Sequence, residues 1–141
     1  MAANPQFAQT PEFNLVSFSL SGTSSRTSAS SNCLRLITGS TASGYYGTKI
    51  TQIGVKHTNA NTNPAGLVHV YISDSTGTSA SALLYDEIQF TATTPSTTAV
   101  TQRVINTYTD LQLVPGQSIF VGSSLNASTQ SFVVWASGGD F

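Results

Sequence analysis

Two histidines are the side chains in this sequence best suited to acid–base chemistry or to metal binding. His57 closes one predicted strand and His69 lies inside the next, so the two could approach each other across a hairpin. A structural or catalytic zinc site needs at least a third ligand, and no other ligand-type residue stands at a helpful spacing. The alternative is two sheet histidines that hydrogen-bond to backbone or water, and the sequence favours this alternative.

Asp86 and Glu87 are the only adjacent carboxylates. In a strand they point to opposite faces, so they cannot form the paired acid and base of a glycosidase. Asp140 is expected to be solvated near the chain end. Serine is abundant, but neither a Gly-x-Ser-x-Gly elbow nor a glycine-rich phosphate loop occurs. We therefore expect a protein that is not an enzyme and that has no catalytic residue, cofactor or metal.

Composition narrows the possible partners. The 141 residues fit one domain, and only 8% of them are charged, against about 25% in a typical soluble domain. The net charge is -1 and the cations are scattered, which argues against nucleic-acid binding. No apolar run is long enough to cross a bilayer, and the first residues do not resemble a signal peptide. The single cysteine, Cys33, is expected to be a buried structural thiol.

Short alternating segments separated by turn residues must position these side chains. Leu67–Ser73 has apolar residues on both parities, which is typical of a central strand, and the parity break between Ile50 and Ile53 beside Gly54 predicts a β-bulge. The run 83–90 could be helix or strand, and its length and flanks favour a strand. The pattern predicts strands at residues 13–20, 33–38, 48–58, 67–73, 83–90, 98–108, 118–123 and 131–136.

This pattern predicts an all-β domain over residues 13–141: an antiparallel β-sandwich, jelly-roll-like, with about eight strands. Residues 1–12 are expected to form an extended N-terminal arm because Pro5 and Pro11 restrict the backbone. Phe7 is the large apolar anchor of the arm, and a frayed terminus is the alternative. Phe7 and Phe13 are the candidate residues for contact with a partner.

Aromatic side chains offer a different kind of binding site. Tyr45 and Tyr46 lie together in a loop bounded by glycines, where they could form a platform for a carbohydrate. Trp135 alternates with Val133 in the last predicted strand, so core packing is the expected role of its indole.

Several stretches resemble small virion proteins of tailed bacteriophages. The resemblance covers roughly residues 48–141 and is one of style and order. It lies in Leu83-Leu-Tyr-Asp-Glu-Ile, in Ala92-Thr-Thr-Pro-Ser, in Leu111-Gln-Leu-Val-Pro-Gly-Gln-Ser-Ile and in the closing Gly138-Gly-Asp-Phe. Such proteins are often capsid decoration (cement) proteins, commonly trimers with a β-sandwich or jelly-roll fold. The resemblance identifies no particular binding residue.

The resemblance implies a non-enzymatic structural protein of the virion that binds and stabilises the major capsid protein shell. It further implies a homo-oligomer, with a trimer favoured, synthesised in the host cytoplasm and located on the capsid surface, with no nucleic-acid or membrane partner. The alternative is a tail or fibre-associated carbohydrate-binding module that grips a glycan through Tyr45 and Tyr46. An enzyme is the third and least favoured hypothesis.

Overall fold

The computed structural model describes residues 10–19, 24–29, 31–58, 62–125 and 131–141. Apart from one 3₁₀ turn at Ser79–Ser81, its regular elements are strands, and no helix in these ranges could span a membrane. The strands are β1 (Thr10–Ser19), β2 (Leu34–Thr38), β3 (Thr48–His57), β4 (Gly66–Ile72), β5 (Leu83–Phe90), β6 (Arg103–Thr107), β7 (Gln112–Leu113), β8 (Ser118–Ser123) and β9 (Ser131–Asp140).

The strands form two antiparallel sheets. Sheet A has the order β1-β9-β3-β6, with the short β7 pairing the same side of β3 as β6, and sheet B has the order β2-β8-β4-β5. Strands from the first half of the chain pair with strands from the second half in reverse order. The pairs are β1 with β9, β2 with β8, β3 with β7 and β6, and β4 with β5. This is one long hairpin wrapped into two layers, which is the jelly roll. The predicted all-β antiparallel sandwich of jelly-roll type is confirmed, whereas residues 1–9 of the predicted N-terminal arm lie outside the described residues.

The placement of β4 and β5 follows from their sequences. β4 lies between β8 and β5 in sheet B, as its apolar residues on both parities predict. Val68 and Val70 face the interior of the sandwich, whereas His69 and Tyr71 lie on the other face and are also buried. The run Leu83–Phe90 is a strand, and it forms the edge of sheet B.

The predicted irregularity in β3 is present. The register between β3 and β9 shifts between Ile50 and Gln52, so one extra residue lies on β3. Because of this shift, Ile50 and Ile53 both point into the core despite their different parities. The turn before β8 also forms as predicted, with Gly116 at a φ of 86° that favours glycine.

The main core fills the space between the sheets. Both sheets contribute β-branched and other apolar side chains, and Phe90 and Phe132 pack with ring centroids 4.9 Å apart. Its buried members are Leu36, Ile37, Ile50, Ile53, Val55, Val68, Val70, Ile88, Phe90, Leu111, Leu113, Ile119, Val121, Phe132, Val134 and Ala136.

A second, smaller cluster lies on the outer face of sheet B. Tyr71 and Phe120 project from the sheet, and the connection between β1 and β2 covers them with Ala29 and Cys33. Cys33 is buried, as its sequence context predicts. The jelly roll therefore has a third layer on one side, formed by a loop instead of a strand.

Three element boundaries differ from the sequence prediction by more than one residue. β1 begins at Thr10, inside the segment assigned to the arm, and β6 is restricted to Arg103–Thr107, which leaves Val100 87% exposed in a loop. β9 continues to Asp140. Asp140 is buried and its Oδ1 accepts a hydrogen bond from the Thr48 hydroxyl, so the expectation of a solvated carboxylate was wrong. Pairing with both β1 and β3 draws this end of the chain into sheet A.

Trp135 was wrongly assigned to the core. Phe132, Val134 and Ala136 are the inward residues of β9, so Trp135 lies on the outer face of sheet A, half-buried. Its indole ring lies across Gly54, where a Cβ atom would overlap the six-membered ring. The guanidinium of Arg103 stands 5.5 Å from the ring centroid. Because glycine has no side chain, position 54 lets the indole pack directly against the backbone of the sheet.

We expect Gly54→Ala to destabilise the protein by about 1–3 kcal/mol, because the methyl group forces the indole off the sheet. Trp135 is the only tryptophan, so its fluorescence reports the displacement directly, and circular dichroism follows chemical unfolding in both backgrounds. In a Trp135→Leu background the same substitution should cost much less. Equal costs in the two backgrounds would contradict this account of Gly54.

Candidate functional site

Both ends of the described chain meet at one end of sheet A. Thr10 pairs with Asp140, and the backbone N–H of Tyr46 donates to the carbonyl of Phe141 at 2.6 Å. The N–H of Phe141 donates in turn to the carbonyl of Gly47 at 3.2 Å. We call this region, with Tyr46, Gly47 and Phe141 at its centre, the arm end, because Thr10, the first described residue, lies here.

Exposed apolar side chains gather at and near the arm end. Tyr46 is 73% exposed, and Val114, which lies against Gly47, is also exposed. Phe13 is 62% exposed and lies three residues along β1 from Thr10, roughly 10 Å by strand geometry. The predicted contact residues Phe13 and Tyr46 therefore lie in the same half of sheet A, on β1 and beside β3, with β9 between them. Tyr45 is half-buried beside Tyr46, and Phe7 lies outside the described residues.

The two histidines do not meet. His57 ends β3 in sheet A and points into the core, whereas His69 lies on the outer face of sheet B. The two strands belong to different sheets, so they form no hairpin, and a shared metal ligand role is ruled out for this pair. In the described ranges no three His, Cys, Asp or Glu residues are grouped to hold a metal ion.

His57 is buried in the main core. Its ring lies between Phe90 and Phe132, each with its centroid 4.6 Å away in an edge-to-face arrangement. Among the described residues, neither ring nitrogen of His57 has a hydrogen-bond partner. Burial lowers the pKa of His57 below its ordinary value of 6.5, so the imidazole is held neutral.

Asp86 and Glu87 point to opposite faces of β5, as predicted. The Oδ2 of Asp86 accepts hydrogen bonds from the Asn106 amide at 2.9 Å and from the Tyr108 hydroxyl at 2.6 Å. Both donors belong to the β6 region of sheet A, so Asp86 closes this edge of the sandwich. Burial, together with the neighbouring carboxylate, raises the pKa of Tyr108 and keeps it a donor.

Glu87 belongs to a polar chain on the outer face of sheet B. Its Oε1 accepts from the Nε of Arg26 at 2.7 Å and lies 3.2 Å from the Nε2 of His69, its direct cross-strand partner. On the other side of the ring, Nδ1 lies 2.8 Å from the Ser24 hydroxyl and 3.3 Å from the Tyr71 hydroxyl. The order from the interior outwards is Ser24, His69, Glu87, Arg26.

Burial is the largest influence on His69 and lowers its pKa; Glu87 opposes this effect and Arg26 adds to it. Nε2 of the ring faces the Glu87 carboxylate, and Nδ1 faces the Ser24 hydroxyl, whose proton goes to the Ser123 carbonyl. A serine hydrolase also aligns hydroxyl, imidazole and carboxylate, but there the hydroxyl meets the substrate. Here Ser24 is buried and bonded to the Ser123 carbonyl, so the carboxylate is the group that faces solvent. This polar chain of side chains fixes the position of Glu87 and does not expose a nucleophile to solvent.

An open cleft of about 590 Å³ lies beside Arg26 and Glu87, the solvent-facing end of the polar chain. It is at the end of the sandwich opposite the arm end, because its wall is formed where β4 begins, directly beyond the His57 end of β3. The cleft is lined by Arg26, Ala65, Gly66, Leu67, Glu87 and Gln89.

Sequence reasoning missed this site. Ser24 and Arg26 lie in the polar run between the first two strands, where no periodicity indicates contact with a sheet. The alternation in β4 does place His69 and Tyr71 on one face. Since residues on both faces of β4 are of types that are usually buried, some other segment must cover the outer face. This requirement was the one signal in the sequence that pointed to the site.

Comparisons of this chain with protein-family models, with curated proteins and with solved structures give no match.

We expect the protein to lose stability as the pH falls below about 6.5, because His57 and His69 take up protons more readily in the unfolded chain. Stability is fully present above this value and declines as the pH falls towards the lowered pKa values. His57→Leu should raise the free energy of unfolding by about 1 kcal/mol at pH 7, because it removes two buried nitrogens that have no hydrogen-bond partner among the described residues. It should also flatten the acid decline. Chemical unfolding between pH 7.5 and about 5 measures both effects.

Val55→Ala is the matched control at a neighbouring buried position of β3. Its cavity should lower stability by a similar amount at every pH, since it changes no titratable group. An acid decline of His57→Leu equal to that of the parent would contradict the assignment of a buried neutral imidazole.

Proposed function

We propose that this chain is a structural protein of a phage virion, a capsid decoration protein that binds and stabilises the major capsid protein shell. The observation that carries the proposal is the group of exposed apolar side chains, Tyr46, Phe13 and Val114, at and near the arm end. The fold adds a second argument, since jelly rolls are common among viral capsid proteins, although this is an analogy of fold alone.

The arm end suits attachment to a larger surface. Exposed aromatic side chains are among the groups that contribute most to binding at protein interfaces. Phe13 lies on an edge strand, and the chain segment that precedes β1 starts from this same end. The shell partner would therefore meet Tyr46 and Phe13 at this end of sheet A, and Phe7 stays a predicted contact residue outside the described residues.

Low charge supports association with other protein surfaces. With 8% charged residues and a net charge of -1, the surface has little electrostatic protection against contact. A decoration protein gains from this property, because several copies bury surface against the shell and add binding free energy to the assembled state only. A homo-oligomer, with a trimer favoured, fits this arrangement.

Removing the anchors should weaken shell binding. We expect Phe13→Ser with Tyr46→Ser to reduce affinity for capsid shells lacking this chain by at least about tenfold, since each anchor is worth about 1–2 kcal/mol when buried. Binding is measured by co-sedimentation of purified protein with shells of the virus that encodes it. Both side chains are exposed, so the fold should persist, which thermal unfolding checks.

Val100→Ser is the matched control, because Val100 is equally apolar and exposed but lies in the β5–β6 loop at the opposite end. It should bind shells as the parent does. If the parent chain fails to bind shells, or if the double variant binds as well as the control, the proposal is wrong.

Light scattering of the purified chain should give three times the 14.7 kDa of one protomer. A mass of one protomer, both in solution and after release from shells, would contradict the oligomer while leaving shell binding to the test above.

The alternative function, carbohydrate binding through Tyr45 and Tyr46, has less support at that position. Only Tyr46 is strongly exposed, and Tyr45 is half-buried, so the pair does not offer two open rings. A glycan array is the direct measurement, with Tyr46→Ala as the variant that should lose any binding at this loop.

A further inference from the structure

The cleft beside Arg26 and Glu87 has no role in the shell proposal. Its volume of about 590 Å³ falls within the roughly 300–1,000 Å³ of small-molecule sites. It lies on the outer face of sheet B, away from the arm end. Three of its side chains carry polar groups, Arg26, Glu87 and Gln89, and Ala65 and Leu67 add apolar surface.

The polar groups of the cleft retain unused hydrogen-bonding capacity. Arg26 is 67% exposed and uses only its Nε on Glu87, so within the described ranges both Nη nitrogens remain available as donors. Glu87 uses Oε1 for both of its partners, and none of the described residues donates to Oε2. Gln89 follows two residues later on the same face of β5 and is exposed, and its amide both donates and accepts.

The carboxylate of Glu87 is held in place by buried residues on the side away from solvent. His69 contacts its carboxylate, and Ser24 and Tyr71 hold the other side of the imidazole within the buried layer. Since the ring is buried and neutral, it cannot swing out to solvent without losing these contacts. A carboxylate fixed before a ligand arrives loses little conformational entropy on binding, which favours affinity.

The charges of the cleft select the class of ligand. Arg26 and Glu87 balance each other, so an anion is opposed by the carboxylate and a cation by the guanidinium. A neutral molecule with many hydroxyl groups meets neither penalty, because each hydroxyl both donates and accepts. Leu67 and Ala65 offer a surface for the C–H face of a sugar ring.

From these observations we infer that the cleft is a binding site for a neutral carbohydrate, with Arg26, Glu87 and Gln89 as its hydrogen-bonding residues. The site lies at the opposite end from Tyr45 and Tyr46. The inference does not rest on the capsid proposal. The two are compatible, since a chain attached through the arm end leaves the cleft open to solvent.

The test is an NMR titration of the full ¹⁵N-labelled chain with glucose, galactose and N-acetylglucosamine, and separately with N-acetylneuraminic acid and inorganic phosphate. At least one neutral sugar should give saturable shifts at the amides of Ala65, Gly66 and Leu67 and at the side chains of Gln89 and Arg26. The anions should give none at the same concentration.

Gln89→Ala and Arg26→Ala should each weaken binding of that sugar by about tenfold, or 1.4 kcal/mol. Both side chains are exposed and the ion pair is worth little to stability, so folding is retained. Gln112→Ala is the matched control, an exposed glutamine on β7 in the other sheet. It should bind the sugar as the parent does.

Three results would overturn the inference. One is the absence of shifts with every neutral sugar at about 10 mM, ten times a millimolar Kd. Another is equal binding by Gln89→Ala and Gln112→Ala. The last is binding of phosphate or N-acetylneuraminic acid in preference to the neutral sugars, which would identify the cleft as an anion site.

Discussion

The pairing of β9 with both β1 and β3 is the constraint on which the rest of the molecule depends. β9 comes last in the chain, yet it lies between the first strand and the third, and it pairs along all ten residues with β1. Without it, β1 would have no paired strand among the described residues. Sheet A would also lack the inner row of Phe132, Val134 and Ala136 that faces sheet B. Such pairing joins residues far apart in sequence, so it requires loop closure before it stabilises the fold.

The same pairing creates the arm end. Because β9 continues to Asp140, both termini of the domain are fixed beside the loop of Tyr46, and Asp140 becomes a buried acceptor for Thr48. A buried carboxylate must be hydrogen-bonded, so this contact ties the start of β3 to the end of the chain. The apolar residues near it remain exposed because the sandwich offers them no inner face.

The cover on sheet B explains the chemistry of the opposite end. A sheet face that carries Tyr71, Phe120 and His69 needs protection from water, and residues 24–29 and 31–33 provide it. The cover brings Ser24 and Arg26 to His69 and Glu87, residues that lie more than forty positions further along the chain. The polar chain and its cleft are thus consequences of how the second core is closed. A rigid scaffold with loops at both ends can carry two separate binding surfaces.

The sequence by itself determined the strands, the bulge in β3, the central position of β4 and the opposite orientations of Asp86 and Glu87. These features follow from local alternation, which the printed sequence displays directly. Alternation divides a strand into two faces but does not state which face turns inwards. Trp135 was therefore assigned to the core when its neighbours Val134 and Ala136 occupy it. Only the tertiary structure decided the burial of Asp140, the separation of His57 from His69 and the polar chain that runs from Ser24 through His69 to Glu87. Each of these depends on which distant strand or loop lies against the residue, and no local pattern records that contact.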